Sequence, residues 1–212
     1  MARASTFTFS VDPSAIIDAA NALDAAVGAT PEAIRKILND KTQKFMIDSR
    51  RGMLRQIALT EGYVSSKMHF EPAKVSDATL VASITTAGSL VVLGHYSPEV
   101  VYRPAVRPKR AKGDPKRGVP SGMTASGVRV TVKPSAPKQI GGFTMTLKRG
   151  TDQGDTVGVF TREGKRLKHH YGIAPYSLFR YQVEENKGAF LDELAVSAIT
   201  AIVDRYGREI AP

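Results

Sequence analysis

The apolar residues of this chain change their period twice along its length, and that change restricts the fold more than any other feature. Ile34, Leu38, Thr42, Phe45, Ser49, Met53 and Ile57 recur at helical spacing. From Leu80 the runs LVASITT, SLVVL, VRVTV, FTMTL and TVGVFTR are β-rich or alternate apolar with polar residues, as strands of an antiparallel sheet do. After VEENKG the helical spacing returns, with Phe190, Leu191, Leu194, Ala195, Ala198, Ile202 and Tyr206 on one side of a helix that Gly207 closes. Helices at both ends around strands predict an α+β fold: a mainly antiparallel sheet flanked by N-terminal helices and a C-terminal helix, with a long basic loop.

The punctuation agrees with this layout. Thr30, Pro31 and Glu32 form a helix start signal for the first long run, and Gly62 ends it. Ahead of it, Asp12 and Pro13 mark the cap and first turn of a short amphipathic helix carrying Ile16, Ala20, Leu23 and Val27 until Gly28. The opening TFTFSV alternates, which suits a short strand or an arm that pairs elsewhere, so residues 1–12 are expected to be an N-terminal arm. With 212 residues the chain can bury a sizeable core, and one domain over residues 1–212 is expected.

Charge is unevenly spread. The formal net charge is +10, and between Arg103 and Arg117 stand Arg103, Arg107, Lys109, Arg110, Lys112, Lys116 and Arg117 against Asp114 alone, a local balance of +6. This cluster lies in a stretch from Pro98 to Gly127 that is rich in proline and glycine and has no apolar period. Such a segment buries too little apolar surface to offset the entropy of ordering it, so it is expected to be structureless until a polyanion or an acidic protein face binds it. Arg35, Lys36, Lys44, Arg51 and Arg55 also line the polar side of the first long helix, as a solvated face or as a nucleic-acid contact.

Several chemistries are missing from the sequence. With no cysteine there is no disulfide, no thiolate metal site and no cysteine nucleophile, which fits synthesis in a reducing cytoplasm. MARASTFTFSVDP lacks the apolar stretch of a secretory signal, and no run approaches the roughly 18 apolar residues of a membrane span, so no membrane partner is expected. There is no nucleophile elbow, no phosphate-cradling glycine loop before a lysine and Ser/Thr, and no HExxH. His69, His95, His169 and His170 are too scattered for an obvious metal site, and adjacent residues such as His169 and His170 point to opposite faces of a strand. Glu184 and Glu185 suit the first turn of a helix rather than paired acid–base work. Tyr171, Gly172, Pro175 and Tyr176 make an aromatic-rich turn, either core packing or an interface anchor. Neither catalytic residues, nor a cofactor, nor a metal site is expected.

The order of these local patterns resembles that of the minor tail protein Z family of tailed bacteriophages. AIRKILNDKTQKFMIDSRRGMLRQIA is similar to the family's helix at Leu38, Asn39, Thr42, Arg50 and Arg51, and ATLVASITTAGSLVVLGHY to the strand before its variable loop. Gly127, Val128, Val130 and Val132 resemble its strand of alternating valines, Gly142 and Phe143 its next strand start, and Val159, Phe160 and Arg162 its Val-Phe-x-Arg. Tyr171 and Gly172 match its Tyr-Gly turn, although Ile173 and Ala174 stand where the family commonly has Pro-Ser, and proline comes at Pro175. The similarity runs from about Ala33 to Ile210.

What the resemblance implies is a structural protein of the virion, needed for tail completion and head-tail joining, and not an enzyme. Its expected partners are copies of itself in a homo-oligomeric ring, other neck and tail proteins such as the tail terminator or tube, and packaged DNA through non-specific contacts. The seven cations from Arg103 to Arg117 are the candidate partner-binding residues. A stand-alone nucleic-acid-binding protein is the alternative that the basic loop and basic helix leave open.

Overall fold

The computed structural model describes residues 4–11, 30–74, 80–114, 118–148 and 155–210. The fold is α+β, with antiparallel sheets between an N-terminal helical region and a C-terminal helix. The contacts gather into two compact units, Met1–Met53 with Val64–Ser89 and Pro175–Pro212, and Leu54–Tyr63 with Leu90–Ala174. The chain therefore passes from one unit to the other four times. The short helix expected between Asp12 and Gly28 lies outside the described residues.

The first unit is built on two long helices. Helix α1 (Thr30–Gln56) starts where Thr30-Pro31-Glu32 predicts. All seven residues of the series from Ile34 to Ile57 are buried, six on the helix and Ile57 just past its end. Helix α3 (Pro175–Ile210) buries Leu178, Phe179, Gln182, Val183, Phe190, Leu194 and Ala198. Phe45 meets Phe179 edge-on at 6.4 Å and Phe190 at 4.9 Å, and such aromatic pairs add about 0.5–1.5 kcal/mol beyond their buried area. Gly52 brings α1 so close to α3 that a Cβ there would meet the amide of Gln182. Asn39 clamps the backbone of Ala73, accepting its N–H at 2.7 Å and donating to its carbonyl at 3.2 Å. The same unit holds a three-stranded antiparallel sheet in the order β1 (Ala4–Val11), β3 (Leu80–Ala87), β2 (Met68–Glu71), with Ala4 opposite Ala87 and Met68 opposite Thr86.

Two expectations about helix ends are corrected. Gly62 does not stop α1, which ends at Gln56; it lies inside a second short helix, α2 (Glu61–Ser65), whose start is capped by the Thr60 hydroxyl accepting from the Tyr63 amide at 3.3 Å. Helix α3 does not begin after VEENKG but 13 residues before Gly188, at Pro175, and it runs through both Gly188 and Gly207. Glu184 and Glu185 are therefore mid-helix, where Lys187 donates to Glu184 at 2.8 Å and Tyr181 donates to Glu185. Leu191 and Ala195, expected on the packed side, face solvent.

The second unit is stranded. One four-stranded antiparallel sheet runs β4 (Val91–Val92), β10 (Arg166–Gly172), β9 (Asp155–Glu163), β8 (Phe143–Lys148). A three-stranded one runs β5 (Glu99–Pro104), β6 (Met123–Lys133), β7 (Ala136–Ile140). The expected strand SLVVL shrinks to Val91–Val92 and continues as a 3-10 turn, Leu93–Tyr96. That turn sits so tightly on β9 that a Cβ at Gly94 would overlap the carbonyl of Val157. Tyr96 is buried with its ring against Gly172, where again only glycine fits. Burial, and next to it Tyr63, push the Tyr96 phenol up to about 12, against a smaller downward pull from the Ile173 backbone. Among the described residues no helix is long and apolar enough to cross a membrane.

Candidate partner-binding site on the basic hairpin

The segment from Pro98 to Gly127 is not structureless, which corrects the expectation from composition. Its two ends are strands: β5 pairs β6 from Glu99 opposite Arg129 to Pro104 opposite Met123, with a bulge between Val101 and Tyr102. The Ser126 hydroxyl bonds the Val101 carbonyl at 3.1 Å beside that bulge. Between the strands, described main-chain groups bond one another. The Ala105 amide bonds the Gly122 carbonyl at 2.9 Å, Gly122 the Ala111 carbonyl at 2.8 Å, and Asp114 and Val119 exchange two bonds of 2.9 Å. Proline starts a 3-10 turn at Pro108–Arg110, and Gly113, at φ +71°, turns the backbone so close to Val119 that any Cβ would strain it. The glycines and prolines that hide the strand period from a sequence reading are the residues that close the tip.

This ladder sets out the predicted cations. Arg103 is on β5, Arg107 precedes the 3-10 turn, Lys109 is inside it and Lys112 follows, all four exposed. Arg110 ends the same turn, while Lys116 and Arg117 lie outside the described residues. Val106, between these cations, is 97% exposed, although an apolar side chain gains nothing from water there. Among its described residues the tip thus sets a bare apolar side chain amid positive charges, suited to an acidic surface with an apolar patch, or to a phosphate backbone through the charges alone.

His169 and His170 stand on opposite faces of β10, as adjacent strand residues must. His169 stacks on Phe160 at 4.4 Å and contacts Tyr171 at 4.1 Å, while the His170 ring is 2.9 Å from the Thr161 hydroxyl. They form no joint site. Phe143 continues the row beside Phe160 at 6.2 Å. Tyr171 is half exposed at the end of β10, Gly172 backs Tyr96, and Pro175 opens α3 after the two-residue link Ile173–Ala174.

One surface escaped the sequence reading. Tyr181, Glu185, Asp192, Val196, Ile199 and Val203 follow one another on α3 at intervals of four, seven, four, three and four, so they share its outer side, and all are exposed. Glu184 and Leu191 flank them. The Lys187 ammonium pairs with Glu184 at 2.8 Å and holds it below the usual carboxylate range, which leaves Glu185 and Asp192 as the acids of this side outside that ion pair. A count of apolar residues had placed Leu191 and Ala195 with the core; the signal that separates the faces is the buried series Phe179, Val183, Phe190, Leu194, Ala198.

Comparisons with protein-family models, with curated proteins and with solved structures give no match to this chain.

Proposed function

We propose that the chain is a structural virion protein of a tailed phage, acting at the head-proximal end of the tail in tail completion and head-tail joining, by contact and not by turnover. The observation that carries the reading is the ordered resemblance from Ala33 to Ile210, and above all the alternating valines Val128, Val130 and Val132 followed by Gly142-Phe143 and Val159-Phe160-x-Arg162. The exposed cations on the hairpin tip supply a contact surface of the kind such a role needs. Its neighbours on this reading are further copies of itself around the tail axis, other neck and tail proteins, and the DNA that passes through.

The test is genetic and structural together. Replacing Arg107, Lys109, Arg110, Lys112, Lys116 and Arg117 with serine is expected to leave the subunit folded, with stability changed by less than about 0.5 kcal/mol per site, while heads and tails accumulate unjoined. Normal yields of infectious particles from that variant, or a map of the neck without the chain, would refute the proposal. The alternative, a stand-alone nucleic-acid binder, is favoured by the same exposed cations and predicts tight, salt-dependent binding of DNA by the isolated protein.

A further inference from the structure

We infer that the hairpin tip of one copy docks on the outer face of α3 in a second copy of this chain. The inference deepens the reading of the basic hairpin as a protein-contact site by naming its partner. The tip is positive, with Arg103, Arg107, Lys109 and Lys112 exposed around the bare side chain of Val106. The α3 face is its chemical complement. Glu185 and Asp192 give it negative charge, with Glu184 beside them paired to Lys187, and the same stretch of helix presents Leu191, Val196, Ile199 and Val203 to solvent.

Each surface sets exposed apolar side chains beside charge, and the charges are of opposite sign. Ile199 is 61% exposed and Val203 60%, on a helix whose other side is already filled by Phe190, Leu194 and Ala198. An apolar stripe on the far side of a packed helix adds nothing to its own unit's core, so its burial awaits a partner. From Asp192 to Ile199 the helix rises about 10 Å, a span that a single tight turn covers. Cations of the tip would lie along Glu184, Glu185 and Asp192, steering the encounter, while Val106 enters among Val196 and Ile199. The two surfaces differ, so the contact is head-to-tail. Each copy offers one tip and one face, and such an interface propagates until rotation closes it into a ring.

The absence of cysteine makes the test clean, because any introduced thiol is the only one in its chain. Val106→Cys and Ile199→Cys are made in separate full-length chains, mixed under mild oxidation, and resolved by mass. The mixed disulfide is expected to form at least about tenfold faster than either like pair, and to slow as salt screens the ion pairs. Reversing Glu184, Glu185 and Asp192 to lysine should abolish the mixed product and weaken self-association in sedimentation about tenfold or more, and combining it with Arg107, Lys109 and Lys112 reversed to glutamate in the other chain should restore both. Circular dichroism on each variant checks that it is folded.

Like pairs forming as fast as the mixed one would overturn the inference. So would a protein that stays monomeric at every concentration reached, or one whose tip reversal removes DNA binding but leaves self-association untouched. The measurement needs no phage, so a failure of the tail assignment in particles and a failure of this contact in solution are separate results.

Discussion

Around Phe179, helices α1 and α3 bury phenylalanine, leucine and methionine side chains almost completely, whereas between Arg103 and Met123 the chain buries little and is held by bonds between main-chain groups. The first region is stabilised by apolar area, at roughly 25 cal/mol per Å² removed from water. The second gains only the modest net worth of its hydrogen bonds, about 0.5–1.5 kcal/mol each, and leaves its side chains outside. A truncation inside a core of the first kind acts first on stability. A region of the second kind can lose its partner while the fold stays intact, which makes it the better place to put a contact.

The contrast is broken most directly by truncating one side chain from each region. Phe179→Ala should cost about 3–5 kcal/mol in denaturant unfolding, because it removes a fully buried ring and leaves a cavity between α1 and α3. Val106→Ala should cost less than about 0.5 kcal/mol. Equal losses at the two sites would show that the hairpin tip is packed in a way its exposure denies.

A finer comparison separates two close approaches. Gly94→Ala drives a methyl group into the Val157 carbonyl, which is part of a paired strand, and about 1–3 kcal/mol of destabilisation is expected. Gly52→Ala meets only the end of the Gln182 side chain, which can rotate away, so its cost should be the smaller of the two. The reverse order would mean that Gln182 is held more rigidly than the Val157 backbone.

A further comparison concerns alkaline pH and Tyr96. Its phenol, ordinarily near 10, is pushed up to about 12 by burial, so the folded state holds this proton more tightly than the unfolded one. The stabilisation is complete below pH 10 and is lost as pH rises through about 12. Melting temperature should therefore fall more steeply with pH in the wild type than in Tyr96→Phe across that window. Parallel curves would mean that the phenol ionises freely where it stands.

These differences also explain what was legible beforehand. The buried series from Ile34 to Ile57, along α1 and just past its end, can be read because helical burial leaves a period in the sequence, and β3, β6, β8 and β9 show as alternating or β-rich runs. Strand β7, Ala136–Ile140, was invisible because it is exposed along nearly its whole length, so nothing selects apolar residues on either face. The first turns of α3 were missed because Gln182 fills a core position and the polar run Glu184 to Gly188 resembles a loop, although Pro175 and the spacing of Leu178, Phe179 and Val183 mark the helix. At the candidate site the charges were plain in the sequence. The ladder that displays them was hidden, because backbone bonding leaves no side-chain signature beyond turn residues.

The aromatic contact joining Phe45 to Phe179 and Phe190 also sets a timetable for synthesis. Phe45 emerges from the ribosome 134 residues ahead of Phe179 and 145 ahead of Phe190. At about 5–20 residues per second, Phe45 waits roughly 7 to 30 seconds for these two partners. Every residue of the stranded unit is made during that interval, since Leu54–Tyr63 and Leu90–Ala174 all lie between the two ends of the pair. The nascent chain thus carries an unpaired Phe45 ring through most of its translation, and a chaperone that shields it would raise the yield of folded protein more than one that acts after release.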